Sequence, residues 1–374
     1  MTAAPDAAEP GPTPAGPQSR VVARFEIARR GFLDKDGRPL GPLPPLGEDR
    51  EGLVAMYRAM HMTRQFDARA VSLQRTGQLG TFPSSLGQEA ASVGIGAAMK
   101  PEDVLFATYR EQGTFLCRGV TLVELFQMWS GDERGYDWKG PRADFPPSIP
   151  IASHVPHAAG AAFAFQRRGE KRVAVCVLGD GATSKGDFYE AINVAGVWKL
   201  PAVFVVVNNG WAISVPRAAQ SAAETLAQKA IAAGIPGEQA DGNDIIAVRH
   251  VVGEAVEAAR AGGGPRLIEL LTYRLSDHTT ADDATRYRTE AEVSAHWALD
   301  PLVRLRSFLG ARGWWTKDDE EALINAVKAE IDAARDAYLA LPPPRPTDMF
   351  DHLYATLPAA YADQRARLAE DADG

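Results

Sequence analysis

The sequence has 374 residues, a formal net charge of −8 and an apolar fraction of 45%. This length allows for about two domains, and the composition is that of a globular protein with a sizeable core. The negative charge argues against a nucleic-acid-binding surface. The sequence contains no run of about 18 apolar residues, so no membrane span is predicted. Cys117 and Cys176 are too few for a disulfide framework or a zinc site, so we expect a reducing, cytoplasmic setting.

The first 20 residues are rich in Ala, Pro and Gly, and Arg20 is their single basic residue. They have neither the apolar centre of a signal peptide nor the basic composition of a transit peptide. We expect residues 1–20 to form a disordered tail, because such a segment cannot bury enough apolar surface to fold. Residues 21–340 should form the main domain with helical flanks, and residues 341–374 a linker with a helical tail.

Apolar residues at helical spacing begin after Asp49 and predict a helix that ends near Gly77. The residues that carry this pattern are Leu53, Met56, Tyr57, Met60, Phe66 and Leu73. Two more helices are predicted over 86–99 and 122–129. The segment 132–150 is rich in Gly, Pro and charged residues and predicts a long loop.

Three short apolar runs in the middle of the chain predict β-strands, over 173–178, 202–207 and 266–273. Between the first two, residues 186–199 predict a helix with one apolar face, formed by Phe188, Ile192, Ala195 and Trp198. Strand, helix and strand at this spacing predict a βαβ unit with parallel pairing. We therefore expect an α/β fold, in which a parallel sheet is flanked by helices, and no second doubly wound domain.

The chain returns to a helical pattern after about residue 300. Asp300 has the properties of an N-cap, and Thr316 with Asp319 has the spacing of a capping box. The run PPPRP at 342–346 predicts a stiff linker, which leads to a last short helix near 350–357.

Two polar residues follow neighbouring predicted strands. Asp180 comes after the first strand, and Asn209 comes after the second, 29 residues later. Because the carboxyl ends of parallel strands meet at one edge of the sheet, these side chains should lie together where open α/β sheets bind ligands. A carboxylate and an amide oxygen suit Mg²⁺ that also binds phosphate, and Gly179 and Gly181 would let the backbone approach that phosphate.

Other phosphate motifs do not fit this segment. A dinucleotide fingerprint needs a sixth-position glycine where Ser184 stands, and a P-loop needs Lys and Ser or Thr where Asp187 and Phe188 follow Gly186. The GDG run alone would as readily be a tight turn. The Asn pair at 208–209 favours the phosphate interpretation.

GDG followed by an Asn pair is the thiamine-diphosphate motif, and the chain resembles the alpha subunit of the decarboxylating component of pyruvate and branched-chain 2-oxo acid dehydrogenases. The resemblance extends from about Phe25 to Leu357 and includes GQEAASVG, ATYREQG, DGND and LIELLTYRLSDHTTADDATRYR. The run TLAQKAIAAGIPG is especially similar to bacterial pyruvate dehydrogenase alpha subunits. The resemblance implies the thiamine-diphosphate-binding fold with helical extensions at both ends.

The resemblance also implies roles for individual residues. Asp180 and Asn209 would bind Mg²⁺ through their side chains, and Trp211 through its backbone carbonyl. The residues implied to contact thiamine diphosphate are Tyr109, Arg110, Ile151, Gly179, Asp180, Gly181, Ala182, Asn209 and His278. Without the resemblance, Arg110 would be interpreted as a surface ion-pair residue and Ile151 as ordinary core.

His278 lies in a polar loop after the third predicted strand, and it is the candidate catalytic residue. Histidine exchanges a proton near neutral pH, and in the family the matching residue assists reductive acylation of the lipoyl group. The alternative is a solvated loop histidine. His154 and His157 are interpreted as structural, although His154 stands where the family usually has Gln. Thr279 takes the place of a phosphorylated Ser in mitochondrial relatives, and no phosphorylation is expected here.

The implied partners are a beta subunit, in an assembly of two alpha and two beta chains, and a dihydrolipoyl acyltransferase core. The implied reaction is oxidative decarboxylation of pyruvate with reductive acetylation of the lipoyl group. Three alternatives stay open: a branched-chain 2-oxo acid as substrate, a non-catalytic scaffold subunit, and a single-chain decarboxylase that uses the same cofactor.

Overall fold

Six parallel strands form the central sheet of the computed structural model, which describes residues 21–351 and 353–373. The predicted tail, residues 1–20, lies outside the described residues. The sheet strands are β1 Arg29–Arg30, β2 Val104–Phe106, β3 Ala174–Gly179, β4 Ala202–Asn208, β7 Gly237–Asp241 and β8 Arg266–Leu271. Their order is β1-β7-β8-β4-β3-β2, and a small antiparallel hairpin contains β5 Trp211–Ala212 and β6 Val215–Pro216.

Helices cover both faces of this sheet. They are α1 Arg50–Arg75, α2 Glu89–Ala98, α3 Gln112–Arg118, α4 Leu122–Trp129, α5 His154–Arg168, α6 Gly186–Trp198, α7 Arg217–Gln220, α8 Lys229–Ala232, α9 Ile245–Arg260, α10 Glu290–Trp297, α11 Pro301–Ala311, α12 Lys317–Leu339, α13 Asp348–Asp351 and α14 Ala362–Asp373. On one face α9 packs against β4, β7 and β8, and on the other α5 packs against β2, β3 and β4. No helix among the described residues is long and apolar enough to cross a membrane.

The strand sequences explain this two-sided cover. Successive residues of a strand point to opposite faces, so a strand that is buried on both faces is apolar at every position. In β3, Val175 and Val177 belong to the core on the α9 side, whereas Cys176 and Leu178 belong to the core on the α5 side. The interpretation of Cys176 as a buried apolar residue is confirmed.

Most predicted elements are confirmed with shifted ends. The predicted helices over 86–99 and 186–199 are α2 and α6, and the predicted loop over 132–150 contains only a short 3-10 turn, Glu133–Tyr136. Asp300 accepts hydrogen bonds from the first turn of α11, and Thr316 and Asp319 form both hydrogen bonds of the capping box.

Two predictions were wrong. Trp198 does not share the buried face of α6, because it is 51% exposed. At 100° per residue, Trp198 is rotated by about 80° from Phe188 and therefore lies at the edge of the apolar stripe. The last helix does not occupy 350–357: α13 ends at Asp351, and helical structure resumes beyond Pro358. Leu357 precedes Pro358, and a residue that precedes a proline disfavours the helical conformation, so the predicted helix cannot readily extend to Leu357.

Several elements are not among the predicted ones, namely β1, β2, the hairpin strands β5 and β6, β7, α3, α5, α9, α10, α14 and the four-residue helices. The strand β7, with the sequence GEQAD, is too polar to be recognised by its composition.

Candidate functional site

A cavity of about 340 Å³ lies at the carboxyl edge of the sheet. In the register of the sheet, Gly179 pairs with Val207 and Asn208 pairs with Leu271, so the residues that follow β3, β4 and β8 emerge together. All ten predicted site residues line this cavity: Tyr109, Arg110, Ile151, Gly179, Asp180, Gly181, Ala182, Asn209, Trp211 and His278. The structure therefore brings all of the predicted site residues together around one cavity.

Asp180 presents an unsatisfied oxygen in this cavity. Its Oδ1 accepts a 2.9 Å hydrogen bond from the Gly181 amide, whereas its buried Oδ2 has no hydrogen-bond partner among the described residues. Burial raises the pKa of this carboxyl to about 6. A buried carboxylate oxygen without a partner is costly in a folded chain, and a bound cation would remove that cost.

Asn209 and Trp211 complete the predicted metal set. The Asn209 amide nitrogen donates to Gln88 Oε1 at 3.2 Å, so its oxygen is turned away from Gln88 and accepts from the Trp211 amide at 3.2 Å. The Trp211 carbonyl has one distant donor, Arg274 at 3.5 Å. These hard oxygen atoms fit Mg²⁺ with phosphate and water as further ligands. No cluster of three or more His, Cys, Asp or Glu that could hold a metal occurs in the described part of the chain.

Two more buried polar atoms in the cavity wall lack partners among the described residues. They are Gln88 Nε2 and His154 Nδ1. The His154 Nε2 must donate to the Val177 carbonyl, 2.8 Å away, so its Nδ1 is an unused acceptor. Native chains leave few buried polar atoms unpaired, and their concentration here indicates a ligand site. His154 thus makes a structural hydrogen bond through Nε2, as its structural interpretation predicts, and it also lines the cavity.

His278 is held by arginine. Arg110 donates to both the Nδ1 and the carbonyl oxygen of His278 at 2.7 Å, and to the Ser84 carbonyl at 2.6 Å. The pKa of His278 is lowered to about 4, first by burial and then by Arg110 and Arg274. The imidazole is therefore neutral near pH 7, with its proton on Nε2, because Nδ1 serves as an acceptor.

Arg274 is a site residue that motif reasoning missed. It is fully buried behind the cavity and donates 2.7 Å hydrogen bonds to the Ile213 carbonyl and to the Tyr287 hydroxyl. Tyr287 in turn donates to Asp282, which also accepts from the His278 amide. These contacts tie the loop that carries His278 to the hairpin that follows Asn209. Burial lowers the pKa of Arg274. Arg274 stands in the quoted motif LIELLTYRLSDHTTADDATRYR, and this was the signal that could have identified it.

Glu111 is a second missed residue in the wall. It accepts a 2.7 Å hydrogen bond from the Thr108 hydroxyl, and burial raises the pKa of its carboxyl to about 7. A carboxyl that titrates near neutral pH inside a cavity is a candidate for proton storage. It stands in the quoted motif ATYREQG, so its neighbourhood to Tyr109 and Arg110 could have identified it.

Backbone strain is concentrated at the same cavity. Three non-glycine residues of the described chain have positive φ angles, and two of them, Ala152 at 66° and Ile213 at 54°, line the cavity. Such conformations cost about 1–3 kcal/mol and persist mainly where surrounding contacts impose them. Ile151, beside Ala152, is 46% exposed, which excludes the alternative interpretation as an ordinary core residue.

The glycines of the GDG turn have different surroundings. A Cβ at Gly181 would lie 2.7 Å from the Ala212 Cβ, so glycine is required there by close packing against the hairpin. A Cβ at Gly179 would meet no atom within 4 Å, which leaves room beside the backbone. The space at Gly179 fits a bound phosphate, whereas the Gly181 amide already donates to Asp180.

The chain is similar to characterised proteins over most of its length. Residues 57–346 match the family described as Dehydrogenase E1 component. The 3-methyl-2-oxobutanoate dehydrogenase subunit alpha of Mycobacterium tuberculosis is 43% identical over 318 residues, which cover 85% of this chain and 87% of the relative. The pyruvate dehydrogenase E1 component subunit alpha of Staphylococcus aureus is 41% identical over 345 residues, which cover 91% of this chain and 92% of the relative.

These similarities agree with the six-stranded parallel sheet and with the residues gathered at its carboxyl edge. The E1 dehydrogenase family depends on thiamine diphosphate, and the relatives include proteins named for two different 2-oxo acids. The chain therefore belongs to the dehydrogenase E1 component family, as an alpha subunit of the 2-oxo acid dehydrogenase type.

Proposed function

We propose that this chain is the alpha subunit of a pyruvate dehydrogenase (acetyl-transferring), which decarboxylates pyruvate oxidatively and acetylates the lipoyl group of an acyltransferase. The observation that carries the proposal is the buried Oδ2 of Asp180, which among the described residues meets no cation and only the neutral Gln220 side chain nearby, in a cavity that also contains Asn209 and His278. A degenerate scaffold subunit has no reason to keep a costly buried carboxylate beside these two residues.

In this proposal, Mg²⁺ is held by the Asp180 and Asn209 side chains and by the Trp211 carbonyl. The Gly179, Gly181 and Ala182 backbone, with Tyr109, Arg110 and His278, holds the diphosphate of thiamine diphosphate, and Ile151 supports its bent shape. When bound, the thiazolium ring supplies the electron sink that decarboxylation requires. Because Arg110 donates to Ser84 and His278, its proposed action on the diphosphate includes the positioning of His278.

His278 is the proposed catalytic residue. Its neutral imidazole carries the proton on Nε2 while Arg110 occupies Nδ1, and the residue lines the cavity. Since Arg110 and Arg274 both lower its pKa, the ring does not hold a second proton near pH 7. The neutral ring can therefore donate a hydrogen bond from Nε2 to an oxygen that develops negative charge, which suits electrostatic stabilisation of a reaction in the cavity.

The proposal includes a beta subunit and a dihydrolipoyl acyltransferase core as partners. A single doubly wound sheet is described in this chain, and it accounts for the diphosphate end of the cofactor alone. The beta subunit would supply the second sheet and the surface for the other end, in an assembly of two alpha and two beta chains. A single-chain decarboxylase would need that second sheet within its own sequence.

The substrate has a second candidate. The 43% identity to the mycobacterial alpha subunit named for 3-methyl-2-oxobutanoate favours a branched-chain 2-oxo acid, whereas the staphylococcal relatives and the TLAQKAIAAGIPG run favour pyruvate. The test is reduction of an artificial electron acceptor by the alpha–beta complex, with pyruvate or 3-methyl-2-oxobutanoate as substrate. We expect the larger kcat/KM with pyruvate. A larger kcat/KM with 3-methyl-2-oxobutanoate would replace pyruvate as the proposed substrate. If the complex binds the cofactor but turns over neither acid, the result would support the scaffold alternative.

A further inference from the structure

Lys229 is a buried lysine beneath the turn that follows β3. It begins the four-residue helix α8, within the TLAQKAIAAGIPG run, and its residue surface is 7% exposed. Its ammonium group reaches the segment 180–184, the 3-10 turn that begins with Asp180. The contact joins residues 46 positions apart, so it depends on the folded chain and not on local structure.

The Lys229 ammonium makes both of its hydrogen bonds to one residue of this turn. It donates to the Thr183 carbonyl at 2.7 Å and to the Thr183 hydroxyl at 2.9 Å. Lysine has donors only, so the Thr183 hydroxyl must accept this bond and can donate its own hydrogen. It donates that hydrogen to the Asp180 carbonyl at 2.8 Å. A continuous chain of hydrogen bonds therefore connects the Lys229 cation to the backbone of Asp180.

The Lys229 ammonium is not in contact with a carboxylate in the part of the chain that the structure describes. Among the described residues it forms no ion pair with a carboxylate. Glu269 attracts it electrostatically, but that carboxylate already accepts hydrogen bonds from the Asn208 and Gln239 side chains and the Ala227 amide. Arg217 adds a second positive charge nearby, and the Tyr189 ring centroid lies 5.3 Å from the ammonium.

A buried cation without a carboxylate partner is normally avoided, because burial removes the water that stabilises its charge. Directly above it lies the turn whose other side lines the cavity through Asp180, Gly181 and Ala182. An anion bound on that side would supply the missing negative charge. A strongly anionic group in the cavity, such as a diphosphate, would therefore stabilise the buried positive charge of Lys229.

We propose that Lys229 is a positioning residue for the diphosphate anchor, which fixes the 180–184 turn through Thr183 and adds positive potential behind it. The inference rests on the proposed binding of thiamine diphosphate. Lys229 lines no part of the cavity, and it acts through Thr183 and through its field. Its effect should fall on cofactor affinity, whereas the rate of the loaded enzyme should change little.

The experiment measures the dissociation constant of thiamine diphosphate, at saturating Mg²⁺, by isothermal titration of the alpha–beta complex. Lys229→Met removes the charge and both hydrogen bonds, and we expect the Kd to rise roughly tenfold or more. Steady-state turnover at saturating cofactor should keep a kcat near that of the wild type. Lys100→Met is the matched control, because Lys100 is an exposed lysine paired with Glu257 away from the cavity.

A second pair of variants separates the hydrogen-bond chain from a simple folding defect. Thr183→Ser keeps the hydroxyl and should bind the cofactor as the wild type does, whereas Thr183→Val removes it and should weaken binding. If Lys229→Met does not fold, the two Thr183 variants test whether the hydrogen-bond chain contributes to cofactor affinity. Equal Kd values for Thr183→Ser and Thr183→Val would overturn the inference.

A Lys229→Met complex with lower thermal stability but a Kd within about twofold of the wild type would also overturn it, since that result marks a merely structural lysine. Absence of cofactor binding by the wild-type complex would overturn the proposed function and this inference together. That outcome is recognised before any variant is compared.

Discussion

The Arg110 guanidinium donates a 2.7 Å hydrogen bond to Nδ1 of His278, and this contact decides which nitrogen of the imidazole carries the proton. A second arginine, Arg274, lies 3.4 Å from the same nitrogen. Two guanidinium groups around one imidazole exclude the doubly protonated ring near neutral pH. The cavity therefore contains a neutral histidine that can donate a hydrogen bond from Nε2 near pH 7.

The pH dependence of stability should reveal this arrangement. The pKa of His278 is about 4 in the folded chain against 6.5 for an ordinary histidine. Between these values the unfolded chain binds a proton that the folded chain does not, so the free energy of unfolding decreases as the pH falls through this window. In His278→Asn this contribution is lost. Urea denaturation at pH 7 and pH 5 should therefore show a smaller pH effect for the variant, and equal pH effects would contradict the assignment.

Asp180→Asn should stabilise the cofactor-free chain while it removes cofactor binding. The pKa of Asp180 is raised from 3.8 to about 6, so its ionised form destabilises the folded state, and this cost is complete above about pH 6. We expect the free energy of unfolding to rise by about 2–3 kcal/mol at pH 8. Denaturation with and without Mg²⁺ and thiamine diphosphate tests both effects. Asp187→Asn, on the first turn of α6, is the control that should keep the cofactor response.

Ala152→Gly should be tolerated, whereas Ala152→Val should not. Ala152 is fully buried and has a φ angle of 66°, a conformation that costs an L-residue roughly 1 kcal/mol and costs glycine almost nothing. We expect the midpoint of thermal unfolding to stay constant or to rise for the glycine variant. A β-branched side chain there adds strain and overpacking of about 2 kcal/mol or more. Calorimetry that ranked valine equal to glycine would show that this backbone relaxes freely.

Two arginines of α1 should differ sharply in their contribution to stability. Arg64 pairs at 2.7 Å with Glu89 and with Asp300, whose side chains are 0% and 3% exposed. Arg64→Met leaves two buried carboxylates without a cation and should cost about 3–5 kcal/mol. Arg58, on the same helix, pairs with Glu330, which is half exposed, and Arg58→Met should cost less than about 1 kcal/mol. Denaturant unfolding of both variants is the measurement, and similar losses would contradict the burial argument.

Asp180 and Asn209 could be placed from the sequence because parallel strands bring their carboxyl ends to one edge, whatever the details of packing. Arg274 could not be placed, since its contacts require the loop after β8 to fold back against the hairpin after β4. Lys229 was hidden for a similar reason: its helix has four residues, and its target is a turn 46 positions earlier. Such contacts depend on loop paths that no local periodicity records.

The order of strands in the sheet has a consequence for synthesis of the chain. β4 pairs with β3 on one side and with β8 on the other, and His278 follows β8. The early strands can pair as they leave the ribosome, but His278 can join the cavity only after β8 inserts between β4 and β7. A nascent chain truncated before residue 266 would therefore expose the unpaired backbone edges of β4 and β7. Completion of the cavity is a late event in the synthesis of this protein, because His278 is translated after all six strands of the sheet.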